Sequence, residues 1–105
     1  MHRRKLHILG HTYNVRPQPQ LSSDDGTPAQ VNKRTHEIRY DPSFAPSNIQ
    51  ESIIHEMFEA INYDLEIGLE HKQITALSEA TFDTLKRNGW LAKNIMECKP
   101  SNGSK

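Results

Sequence analysis

An α+β domain is predicted for this chain, a minimal fold in which a small sheet of about three strands packs on two main helices. Three observations carry that prediction. Apolar side chains in residues 5–15 and 35–41 recur with a period near two, whereas from residue 49 to residue 85 they recur at intervals of three and four. A length of 105 residues leaves room for one core. A hydrophobic fraction of 34% and a mean hydropathy of -0.77 restrict that core to a few segments.

The elements follow in order. Lys5-Leu6-His7-Ile8-Leu9-Gly10-His11-Thr12-Tyr13-Asn14-Val15 alternates around a Gly10-His11 break, which predicts two short strands joined by a tight turn. Residues 16–35 hold three prolines and a Ser-Ser-Asp-Asp-Gly cluster, so they are expected to be a surface loop outside the core. Thr35–Asp41 is expected to form the third strand, with Ile38 and Tyr40 on one face and Asp41-Pro42 ending it. It is also the expected free edge of the sheet.

The first helix is expected to start at an N-cap Ser47, with Gln50 completing a capping box, and to run to about Asn62. At 100° per residue its apolar face holds Ile49, Ile53, Ile54, Met57, Ala60 and Ile61, and Ser52, His55, Glu56, Glu59 and Asn62 share the opposite stripe. A linker from Tyr63 to Glu70 precedes a second helix beginning near His71, with Ile74, Leu77, Thr81, Phe82 and Leu85 at helical spacing. Asn88-Gly89 is expected to end it through a left-handed glycine, after which Trp90 and Leu91 fold back as an apolar lid. Residues 1–97 then make one domain, and 98–105 have the composition of a disordered tail.

Charge and cysteine usage narrow the function. Residues 49–85 contain one basic and eight acidic side chains, a net of -7, within a chain whose 13 basic and 13 acidic residues balance. Both helices lie in that segment, which argues against a nucleic-acid partner and in favour of a bound cation. No apolar run reaches the ~20 residues a membrane span requires, and Met1-His2-Arg3-Arg4-Lys5 leads into no signal-peptide core. A single cysteine, Cys98, suits a reducing compartment, so a cytoplasmic location is expected.

The residues that carry chemistry are His55-Glu56-Met57-Phe58-Glu59. Positions four apart stand one above the other on a helix, so His55 and Glu59 can converge on one ion, as the histidines of H-E-x-x-H do. Glu56 lies about 100° round the helix, off the metal but placed to accept a proton from a metal-bound water. His71, at the start of the next helix, is the expected third ligand. His55, Glu59 and His71 together reproduce the two-histidine, one-carboxylate composition of a thermolysin-type zinc site with the donor order changed. His7 and His11 flank the hairpin turn, and His36 and Glu37 point to opposite sides of a strand. These three histidines, with Tyr40 and Tyr63, are expected to be structural.

The run Gln50-Glu51-Ser52-Ile53-Ile54-His55-Glu56-Met57-Phe58-Glu59-Ala60-Ile61-Asn62, followed by Leu69-Glu70-His71-Lys72-Gln73-Ile74, resembles the small zincin-like metallopeptidase proteins of bacteriophages and prophages. Ile8–Tyr13 and Glu37–Asp41 resemble the strand segments that precede that helix, so the likeness covers about residues 6–90. More distantly the chain is similar to the ImmA/IrrE group of peptidases, in which the pattern E-T-L-L-H-E-x-x-H-A-I precedes a downstream acidic ligand. Glu59 stands where that pattern has its second histidine, and His71 stands near its downstream carboxylate. The resemblance implies a minimal zincin-like fold, a zinc ion on His55, Glu59 and His71, and Glu56 as the base that activates metal-bound water against a peptide or amide carbonyl. A peptide or protein would be the substrate, pairing with the sheet edge. The alternative from another class is a non-catalytic, metal-stabilised phage module that binds a host protein.

Overall fold

A computed structural model describes residues 4–22 and 26–91. The fold is α+β: a four-stranded mixed sheet and two main helices, one strand more than the sequence predicts. Strands β1 (Arg4–Ile8), β2 (His11–Pro17), β3 (Ala29–Asn32) and β4 (Glu37–Tyr40) lie in the order β1-β2-β4-β3. Helices α1 (Pro46–Leu65) and α2 (His71–Arg87) follow. The expected tail at 98–105 and Cys98 lie outside the described residues. Among the described residues no helix is long and apolar enough to cross a membrane.

The expected hairpin is present. β1 and β2 pair antiparallel from Arg4↔Val15 to Ile8↔His11, and Leu9 and Gly10 make the turn with φ of 51° and 83°. Positive φ at both central residues matches the twist of the flanking strands. Next, β4 pairs parallel with β2 and antiparallel with β3.

Two expectations about this region are corrected. The segment 16–35 is not a coreless loop, since it supplies β3 and buries Leu21 and Ala29. Residues 35–41 are not the sheet edge either: β4 is interior, and the edges are β1 and β3. The missed strand is only four residues long and follows a Pro-containing stretch, so its alternation is too brief to register as a pattern.

One sheet face is apolar and carries α1. Ile8, Tyr13, Val15, Ala29, Ile38 and Tyr40 are buried against Ile49 and Ala60, with Ile53, Met57 and Ile61 packed around them. The opposite face is polar, as antiparallel-rich sheets allow. There Glu37 receives the Arg16 guanidinium at 2.6 Å and lies 3.9 Å from that of Arg39, relieving the like-charge Arg16↔Arg39 register pair.

Helix boundaries differ from expectation for local reasons. α1 begins two residues early because Pro46 presets φ in the first turn. Its N-cap is Ala45, with no side-chain cap, rather than Ser47. It also runs on to Leu65, where Glu66 takes the left-handed conformation at φ 51° and Ile67 N–H reaches back to Asn62 O at 3.2 Å. The capping box expected on α1 is found on α2: Glu70 is its N-cap, and the Glu70 N–H donates to Gln73 Oε1 at 2.8 Å.

The far end of α2 has no left-handed glycine. Asn88 is the C-cap, its side-chain amide donating to Thr84 O, and Gly89 does not have positive φ. The expected lid is also absent, since Trp90 is 64% exposed. Ile74 and Ser78 are the buried positions of α2, whereas Leu77 faces water. Ser78 is tolerated there because its hydroxyl donates to Ile74 O.

Asp41 ties the sheet to the entrance of α1. Its two carboxylate oxygens accept from the backbone and hydroxyl of Ser22 and of Ser43, at 2.6–3.0 Å. The Ser22 hydroxyl, and then the Ser43 and Ser22 amides and the Ser43 hydroxyl, hold the carboxyl well below the usual carboxylate range. A depressed folded-state value contributes stability that is present above the ordinary carboxylate pKa and lost as pH falls below it. Asp41→Asn is therefore expected to lower the thermal midpoint at pH 7 by several degrees and to flatten its fall between about pH 4 and pH 2. Circular dichroism melts across that range check this. An unchanged acid limb would remove Asp41 as its source.

Candidate metal centre

The apolar packing of α1 fixes its rotation about its own axis. With Ile53, Met57 and Ala60 turned to the sheet, the stripe of Ser52, His55, Glu56 and Glu59 faces a cavity of about 560 Å³ between β3, α1 and α2. Instead of a solvated outer face, the ionisable stripe lines a cleft.

His71 is delivered to the same place by the connection between the helices. The Asn62 side chain clamps Leu69, accepting its N–H at 2.9 Å and donating to its carbonyl at 3.4 Å. The Glu70–Gln73 capping box then starts α2, placing His71 at its first helical position.

All three expected ligands come together. Glu59 Oε2 lies 3.3 Å from His55 Nε2 and 3.6 Å from His71 Nδ1, and the two imidazoles meet edge to face at 5.1 Å. One donor atom from each of the three residues lies within 4.8 Å of the other two. Among the described residues this is the group of histidine and acidic side chains able to hold a metal ion. Donors about 2.0–2.1 Å from a tetrahedral ion stand roughly 3.4 Å apart, so two of the three separations already match and the third closes by small side-chain rotations. With neutral imidazoles the set can bind a divalent cation. With protonated ones, Glu59 is the partner of two imidazolium groups, so metal and protons compete for the same atoms.

Burial is uneven across the set. The side chains of His55 and Glu59 are 18% and 25% exposed, whereas that of His71 is 77% exposed. Two donors are thus built into the cleft wall and the third approaches from water.

Glu56 stands beside the group without joining it. Burial first, and the negative charge of Glu59 second, push its carboxyl up to about 7, against the opposing pull of Lys33. A carboxyl that is half protonated near neutrality and lines the cavity is suited to take up and release a proton.

The remaining expected structural residues lie elsewhere. His7 Nδ1 is 3.1 Å from Thr12 Oγ1 on the exposed hairpin, and the His36 ring meets those of His11 and Tyr13 at a tilt, with centroids 4.6 and 4.8 Å away. His11 lies 3.8 Å from Asp64. Tyr40 is buried in the core, and Tyr63 is exposed beneath Lys33. Periodicity did not reveal the opposite wall of the cavity, formed by residues 27–31 and Lys33, because β3 itself was not recognised. Compared with known proteins, the chain matches no family model, no curated protein and no solved structure.

Proposed function

We propose that the protein is a zinc-dependent hydrolase of peptide or amide bonds, similar in its site to the zincin-like metallopeptidase proteins of phages. The observation that supports this most is the convergence of His55, Glu59 and His71 within 4.8 Å on the wall of a cavity that also contains Glu56. Zinc suits a donor set of two imidazoles and one carboxylate, and a site with three protein ligands leaves a position open, whereas structural zinc sites are closed by four. When bound there, the ion supplies Lewis acidity to a carbonyl and acidity to water.

The chain's own groups do the rest. Glu56, held near neutrality by its partial withdrawal from water, takes a proton from the attacking water at its carboxylate oxygen and returns it to the leaving nitrogen. β3 is the sheet edge that borders the cavity, and among the described residues no further strand pairs with it. An extended substrate can hydrogen-bond along it and so be oriented beside α1.

Metal titration followed by exchange of donors tests the reading. The protein is expected to bind about one zinc per chain. Glu59→His and His71→Glu should each weaken binding, and the double variant should recover at least part of the loss because it restores two histidines and one carboxylate. Strictly additive losses would mean that the two positions do not face one ion. Isothermal titration calorimetry gives both stoichiometry and affinity.

A further inference from the structure

Lys33 is the lysine of the cavity wall, and the zinc reading gives its ammonium no task. It follows β3 directly, and the turn after it is fixed by Asn32 Oδ1, which accepts from the backbone N–H of Arg34 and Thr35 at 3.0 and 3.1 Å. Its Nζ lies 5.0 Å from the centroid of the Tyr63 ring, on the side of α1 that bears Glu56 and Glu59. The residue is half-buried and lines the cavity with His55, Glu56 and Glu59. Among the described residues no carboxylate lies within ion-pair distance of it.

A partly desolvated ammonium with no carboxylate in contact is unfavourable, and an apolar side chain of similar reach would fill the position at lower cost. The Tyr63 ring offsets part of that loss through its face but accepts no conventional hydrogen bond there, so N–H donors remain for another group. Glu56 attracts Lys33 through space, but the two make no ion pair, so the N–H donors of Lys33 are not taken up by it. The cations on the opposite sheet face show the contrast: Arg16 is paired with Glu37 at 2.6 Å.

We propose that Lys33 is the anion-recognition residue of the cavity, and that the substrate has a carboxylate within a residue or two of the bond that is cleaved. The assignment rests on the hydrolase reading for the position of that bond. At about 560 Å³ the cavity has room for only a few residues, so a group held at Lys33 is close to anything held at His55 and Glu59. Glu51, Glu56 and Glu59 also line the cavity and disfavour a further negative charge in the metal-free protein. A divalent ion on Glu59 reverses that balance, so loading the metal centre should strengthen anion binding.

The carboxylate can be an acidic side chain or a chain terminus, and three small probes separate the two. N-acetylglutamate amide has only the side-chain carboxylate, N-acetylglutamine only the terminal one, and N-acetylglutamine amide neither. Each is titrated into the full-length protein, metal-free and zinc-loaded, while the Lys33 Cε resonance is followed by NMR. At least one charged probe should saturate that resonance and bind about ten-fold tighter than the neutral one, and the tighter of the two identifies the source. Lys33→Met should reduce its affinity to that of the neutral probe, while Lys33→Arg should retain most of it.

Equal binding of charged and neutral probes, or a preference that survives in Lys33→Met, would overturn the assignment. The metal-free arm keeps the two readings apart. A Lys33-dependent preference in a protein that takes up no zinc would leave the anion site standing and remove the metal centre. Zinc uptake without any preference would do the reverse.

Discussion

Replacing Glu56 with glutamine is expected to lower hydrolysis by about two to four orders of magnitude while zinc content stays at the wild-type level. The amide is nearly isosteric and keeps the helix, but it cannot take a proton. The same change should stabilise the metal-free protein. Because burial raises the Glu56 carboxyl from 4.5 to about 7, its ionisation opposes folding: stability falls as pH rises between those values and stays reduced above them. Glu56→Gln removes that loss, so its thermal midpoint should exceed wild type above pH 7 and match it near pH 4. Elemental analysis, a turnover assay and melts at the two pH values separate these effects. A fall in zinc content equal to that of Glu59→Gln would mean that Glu56 is a ligand rather than the base.

The second large effect is expected at His55. Its alanine variant leaves a carboxylate and one exposed imidazole, and zinc affinity should fall by about a hundred-fold or more. His71→Ala should cost less, because a donor that is 77% exposed is held less firmly than one that is 18% exposed. Competition against a colorimetric zinc chelator measures both. Helix content should persist in His55→Ala, since alanine favours helix and the apolar face of α1 is untouched. The reverse order of losses would place the firmer half of the site on α2.

The features legible in the sequence are those set by short-range rules. The β1–β2 hairpin shows in its alternation and glycine turn, and α1 and α2 show in their three- and four-residue spacing. The juxtaposition of His55 and Glu59 is legible for the same reason, since four residues on a helix fix a direction. His71 followed because a short connection restricts where the next helix can begin.

What escaped depends on distant contacts. β3 has four residues, and its place at the edge is set by pairing with β4 rather than by its own pattern. The place of Lys33 in the cavity, and the wall that β3 sets opposite the ionisable stripe of α1, are therefore not legible from periodicity. Leu77 and Ser78 exchange the roles that hydrophobicity assigns them, because the rotation of α2 is decided by its packing on α1. Pro46 moved the start of α1 past the serine that composition favours.

The clamp between Asn62 and Leu69 would make a metal-loaded site a chelate of unequal arms. His55 and Glu59 form a rigid two-toothed grip on one helix, while His71 is a third arm on a tether whose length is set by a single side-chain amide. Its share of the affinity is then a matter of effective concentration: the shorter and stiffer the tether, the higher the local concentration of imidazole that the ion meets. Such a chelate releases its ion in sequence, the outer arm first. If the protein holds zinc as proposed, its rate of metal exchange would be governed by the loop between the helices as much as by the donors themselves.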